Sequence, residues 1–254
     1  MSSKSRSSAI EKGLVVLEAL ADQPQAVGLP DLAARLGIAR QTVHRVLCQL
    51  MRAGLVVRDH RRERYCIGPR QTRLALATLC SKNRGTRVRL LLREFVDALG
   101  ETCNIGVLDD LDFVYVERIE CKWPLRMVLD SGSRIGAHAC SGGKILLAQL
   151  DPTERRGLLR RWKPQAYTAK TLTRPAELDA ELEKARAKGF ALNNQEFMKG
   201  IVGVAVPIED ATGRVVAALA MHGPLPRLSI KACQGHVPRL KRAAERIGKA
   251  WHAD

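Results

Sequence analysis

Apolar residues recur at helical spacing three times within the first fifty positions of the chain. From Ala9 to Leu20 the stripe is Ile10, Leu14, Leu17 and then Ala21, and Gln23-Pro24 stops it. Pro30 suits the first turn of a second helix with Leu32, Ala33 and Leu36 on one face, and Gly37 stands where a left-handed C-terminal residue belongs. After the break Gly37-Ile38-Ala39, the residues Val43, Val46, Leu47 and Leu50 fall at i, i+3, i+4 and i+7. They predict a third helix from Arg40 to about Ala53, ended by Gly54. The period then changes. Leu55–Val57 and Tyr65–Ile67 read as short strands flanking the basic stretch 58–64, a hairpin with no need of burial. Helix, helix, turn, helix, hairpin is the pattern of a winged helix-turn-helix. Gly68-Pro69 closes it, and Leu74, Leu76 and Leu79 make Gln71 to Lys82 a linker helix.

Beyond Gly85 helices and strands mix. An amphipathic helix is predicted at Val88–Leu99, and strands at Cys103–Leu108, Phe113–Arg118, Leu125–Leu129, Val202–Ile208 and Val215–Met221. The connections 109–112 and 210–213 are short enough for hairpins, so the sheet is expected to be antiparallel. Asp151-Pro152-Thr153-Glu154 combines an N-cap, a proline at the first helical position and an early glutamate, a helix start signal. Further helices are expected at Pro175–Lys188, ended by Gly189, and after Ser229, with Val237, Leu240, Ala244 and Ile247 on one side. The fold class is therefore α+β: a winged unit over 1–69, a linker helix over 70–84, and an antiparallel sheet with helices on its faces over 85–254.

Charge adds a partner to this outline. Lys and Arg number 42 against 26 Asp and Glu, a net charge of +16. Residues 1–84 carry 15 basic and 6 acidic side chains, so the first third holds over half of the excess. Such concentration favours a polyanion beside the winged unit, and double-stranded DNA is the expected one. No apolar run reaches the 18 residues or more that a bilayer span needs, and Glu11 and Lys12 interrupt any signal-like stretch. The expected location is the cytoplasm, with no membrane partner. Seven cysteines, with no C-x-x-C and no histidines at zinc-ligand spacing, argue against a disulfide framework or a metal site. Cys48, Cys66, Cys80 and Cys103 lie beside apolar positions, where free cysteine acts as a small hydrophobe.

The polar side of the third helix presents Arg40, Gln41, Thr42, His44 and Arg45. A recognition helix lies in the major groove with its N-terminal residues against base edges, where arginine pairs with guanine and glutamine with adenine. Arg58, Arg61, Arg62 and Arg64 of the hairpin suit phosphate neutralisation more than sequence readout. Taken as an isolated basic helix, the same face reads sooner as a solvated surface, and it is the neighbouring helix, turn and hairpin that reverse this in favour of DNA.

The runs Gly28-Leu29-Pro30-Asp31-Leu32-Ala33, Gln41-Thr42-Val43-His44-Arg45-Val46-Leu47, Gly54-Leu55-Val56 and Arg64-Tyr65-Cys66-Ile67-Gly68 together resemble the IclR family of bacterial transcription regulators. So do the segment 138–148, His-Ala-Cys-Ser-Gly-Gly-Lys-Ile-Leu-Leu-Ala, and the stretch 189–196 followed by Gly200 and 204–208. The resemblance runs from about Ala9 to Ile247. It implies a GAF-like C-terminal domain that binds a small effector, expected to be a carboxylate and aromatic by preference. The implied pocket comprises Met127, Leu129, Ser141, Gly142, Asn193 and Gly203. Asn193 replaces the family's acid, and Gly136-Ala137 replace a proline and an apolar residue, so the strand there is expected to be looser. Ser141 is alternatively a plain helix cap.

No enzyme is expected. Ala139 occupies the glycine position of a nucleophile elbow, and Gly142-Gly143-Lys144 lacks the Ser or Thr of a phosphate-binding loop. No cofactor is implied. A redox reading rests on Cys140, whose thiol beside His138 at a helix start is expected to have a lowered pKa. One winged domain buries too little surface to specify a site, which predicts a homodimer or dimer of dimers on a pseudo-palindromic operator, acting most simply as a repressor.

Overall fold

The computed structural model describes residues 8–23, 25–59, 63–80, 86–124 and 129–251. The chain divides into two compact units, residues 1–79 and 80–254.

In the first unit, α1 (Ala9–Ala21) starts on a capping box in which the Ser8 hydroxyl accepts from the Glu11 N–H and the Glu11 carboxylate accepts from the Ser8 N–H. Its buried face is Val16, Ala19 and Leu20, whereas Ile10 and Leu14 of the expected stripe are exposed. Two stripes of helical spacing coexist on α1, and burial selects the one facing α2 and α3. Strand β1 (Val27–Gly28) leads into α2 (Leu29–Leu36), which ends on Gly37 at φ 61°. Helix α3 (Arg40–Arg52) buries Val43, Val46, Leu47 and Leu50, as its periodicity predicts. The wing is β2 (Val56–Asp59) against β3 (Arg64–Ile67), with β1 on the other side of β3 in the order β1-β3-β2. The pairing of β1 has no local signal, because two residues show no alternation. Helix α4 (Pro69–Leu79) follows and buries none of its residues.

The second unit is a six-stranded antiparallel sheet, among the described residues, in the order β6-β5-β4-β9-β8-β7. After α5 (Thr86–Leu99) come β4 (Thr102–Asp109), β5 (Asp112–Ile119) and β6 (Arg134–Gly136). The strand expected at Leu125–Leu129 falls on 125–128, outside the described residues, and Leu129 itself belongs to no strand. A 3-10 turn at Ala137–Ala139 delivers the chain to α6 (Ser141–Gln149). Helix α7 (Pro152–Arg161) is capped by Asp151, whose carboxylate accepts from the Thr153 and Glu154 N–H groups, and α8 (Pro175–Lys188) ends at Gly189. Strands β7 (Ala191–Asn194), β8 (Ile201–Glu209) and β9 (Val215–Pro224) complete the sheet. The final helical stretch is two helices, α9 (Ile230–Gly235) and α10 (Val237–Ala250), broken at His236 because Pro238 resets the ladder.

Strand alternation sorts the sheet into two faces. Val202, Val204, Val206 and Ile208 of β8 join Leu219 and Met221 of β9 in a core closed by α5 and by Leu240, Ala244 and Ile247 of α10. Ala205, Ala218 and Ala220 look the other way, towards a second core built with Ile145 and Leu147 of α6 and Leu178 and Leu182 of α8. Alanines on that face let α6 lie close to the strands.

Candidate nucleic-acid interface and ligand cavity

With its apolar side consumed by the core of the first unit, α3 leaves Arg40, Gln41, His44 and Arg45 exposed and Thr42 partly so. Ala39 offers no side chain to cap the helix; its carbonyl accepts from the Thr42 and Val43 N–H groups at 2.8 and 3.1 Å, and the helix starts beside a basic face. The hairpin arginines differ from one another. Arg58 is ion-paired with Glu63 and lies over the Tyr65 ring, 5.6 Å from its centroid. Arg64 donates to the Ala26 carbonyl at 3.1 Å. Both therefore brace the wing as well as charging it, whereas Arg61 and Arg62 lie outside the described residues.

In the second unit, Ser141, Gly142 and Asn193 come together as expected. They line a small cavity with Asn104, Phe113, Tyr115, Cys140 and His222, among others. Its volume is about 20 Å³, room for about one water molecule. Gly142 is required there: a Cβ on it would stand 2.5 Å from the Phe113 ring. The Asn193 Oδ1 accepts from the Glu196 N–H at 2.9 Å, so the end it can offer a ligand is its NH2. Gly203 pairs with both Asn193 and His222 across the sheet, and its missing side chain makes room for His222, whose Cβ would stand 3.1 Å from a Cβ there. Leu129 packs against the second core; neither it nor Gly203 is among the described lining residues, and Met127 lies outside the described residues.

Three expectations around Cys140 need correction. The helix cap is Cys140, whose Sγ accepts from the Gly143 N–H at 3.2 Å, and Ser141 is the first helical residue. Burial pushes the Cys140 thiol up to about 12, more than the Gly143 N–H and the Lys144 charge lower it. Proximity to a helix start therefore does not make a thiolate where water is excluded. The strand before His138 is not loosened either, since Gly136 pairs with Asp112 and donates its N–H to the Tyr167 hydroxyl at 3.3 Å, a bond proline would forfeit. Of the cysteines expected to be buried, Cys103 is; Cys48, Cys66 and Cys80 are partly exposed.

Asn104 and His222 carry no sequence signal of their own. They sit on strands whose apolar neighbours read as ordinary core, and only cross-strand register brings them to the cavity. Asn104 pairs with Arg118 of β5 and Ala220 of β9, and His222 lies two residues beyond Ala220.

Comparison with known proteins identifies the lineage. Residues 9–60 match the IclR helix-turn-helix domain, and residues 78–249 match the bacterial transcriptional regulator IclR C-terminal domain. The chain belongs to the IclR family. IclR-family relatives include the probable transcriptional regulator SauR of Cupriavidus necator, 35% identical over 99% of both chains. The transcriptional repressor IclR of Escherichia coli is 30% identical over 87% of this chain and 81% of its own. An IclR homolog from Microbacterium hydrocarbonoxydans, solved in complex with 4-hydroxybenzoate, matches 97% of this chain and 100% of its own with a TM-score of 0.59 and 25% identity. The chain is thus an IclR-family transcriptional regulator with an N-terminal DNA-binding domain and a C-terminal effector-binding domain. Among the described residues no helix is long and apolar enough to cross a membrane.

Proposed function

We propose that this IclR-family regulator is a sequence-specific repressor. It binds a pseudo-palindromic operator as a homodimer or dimer of dimers and is modulated by a small organic acid, aromatic by preference. The observation that carries the DNA half is the exposed row Arg40, Gln41, His44 and Arg45 on a helix whose other side is wholly buried. Repression is supported by the Escherichia coli relative, named a repressor. A regulator without catalytic activity agrees with the relatives above, which are named as regulators.

The acid is supported by the 4-hydroxybenzoate complex of the Microbacterium homolog and by the donor groups around the cavity. At about 20 Å³ the cavity is far below the roughly 300 Å³ and upwards of ligand pockets, so an acid enters only by moving its walls. That gives binding a conformational consequence, the requirement for altering operator affinity. Footprinting on the DNA flanking the gene tests the reading. Two symmetric half-sites, released by a hydroxybenzoate, are expected; a single unpaired half-site contradicts it.

A further inference from the structure

Asn104, Arg118 and His222 form a polar group on the face of the sheet that also carries Phe113, Tyr115 and the alanines of β8 and β9, and all three are buried. Their hydrogens can be assigned by elimination. A guanidinium only donates, so the Arg118 NH1 contact at 3.4 Å makes His222 Nε2 the acceptor and places the imidazole proton on Nδ1. The end of the Asn104 amide 3.2 Å from Nδ1 must then be the carbonyl oxygen. The other end of that amide, fully enclosed and without a hydrogen-bond partner among the described residues, is the NH2. Asn104 lines the cavity.

We infer that Asn104, oriented by the Arg118–His222 pair, is the specificity-determining donor that reads the carboxylate of the effector. The inference rests on the effector reading proposed above. Its logic is directional: Arg118 donates to His222, His222 donates to Asn104, and the NH2 of Asn104, a residue of the cavity lining, is left over for a ligand. Positive charge is thereby presented to a ligand through two neutral groups, without an exposed cation. Ser141 and the Asn193 NH2 stand on the same cavity and add two further donors, a set that favours an anion over a neutral isostere.

Asn104→Asp separates the possibilities, because it keeps an oxygen acceptor for His222 while replacing the NH2 by an oxygen whose added negative charge repels a carboxylate. Full-length wild type and variant are titrated calorimetrically with benzoate, 4-hydroxybenzoate and acetate, and with the primary amide of each. Wild type is expected to prefer at least one acid over its amide by about tenfold or more, and the variant to lose that acid by about tenfold to a hundredfold while retaining the amide. An unchanged urea midpoint for the second unit, together with an unchanged near-UV circular dichroism spectrum, verifies that the variant folds. Equal affinity of wild type for acid and amide, or undiminished acid binding by the variant, overturns the inference while the effector reading stands. Failure of wild type to bind any acid overturns the carboxylate reading and this inference with it. Should the variant fold poorly, long-range 15N–1H correlation spectra of wild type decide: protonated Nδ1 at His222 supports the relay, and protonated Nε2 overturns it.

Discussion

Gln41 and Arg45 lie one turn apart on the open side of α3, where each can meet a different base edge. A direct base contact carries about 1–3 kcal/mol of discrimination, so Gln41→Ala or Arg45→Ala should weaken operator binding by that much and random DNA far less. Competition binding with the two DNAs measures it, and equal losses on both would remove these residues from base readout. Arg58→Ala should do something else: with Glu63 and Tyr65 left unmet, the wing loosens and operator and random DNA lose alike. His222 gives the second unit a pH signature. Burial, helped by Arg118, lowers its pKa from 6.5 to about 3. The unfolded chain thus takes up a proton near pH 6.5 that the folded chain refuses, and stability present above that pH is lost as pH falls towards 3. The slope contributed by this one group is about 1.4 kcal/mol per pH unit. Chemical denaturation between pH 7 and 4 should show His222→Gln falling less steeply than wild type; parallel curves would mean that the imidazole is solvated.

Helix α6 reaches the sheet only because Phe113 is received between Gly106 and Gly142. A Cβ would stand 2.3 Å from that ring on Gly106 and 2.5 Å on Gly142. Gly142→Ala should therefore cost about 1–3 kcal/mol by overpacking, read as a lower urea midpoint, and an unchanged midpoint would show that α6 can slide. Contacts of this kind also mark what a single chain reveals to inspection. Helices α2, α3 and α8 and the turns at 109–112 and 210–213 were legible because stripe, cap and turn residue sit within a few positions of one another. The two-residue β1, the short β6 and β7, and the break at His236 were not, since partners far along the chain create the strands and a single proline makes the break. The same division holds in the cavity. Ser141, Gly142 and Asn193 could be placed from a segment resemblance, whereas Asn104 and His222 become neighbours only through sheet register.

For the whole chain, +16 charges make operator affinity a salt-dependent quantity, with log K falling linearly against log salt. Arg62→Ala should lower that slope by about one unit while leaving sequence preference intact, and an unaltered slope would exclude a phosphate contact there. Helix α4 buries nothing within its unit, and Leu74 is 58% exposed, as expected of a surface that pairs with a second copy. Leu74→Glu should shift the assembly towards monomer in sedimentation experiments and weaken binding to a paired site more than to a half-site; an unshifted mass would move the pairing surface elsewhere. The alternation along β8 reaches further than packing. Its valines and Ile208 are spent on one side of the sheet and its small residues on the other, so the aliphatic layer against α10 and, on the effector reading proposed above, the polar positions that would meet a ligand are inherited as separable sets. A duplicated copy of the gene can accumulate changes at 104, 193, 203 or 222, and come to answer a different metabolite, without first surrendering the aliphatic layer that keeps it folded.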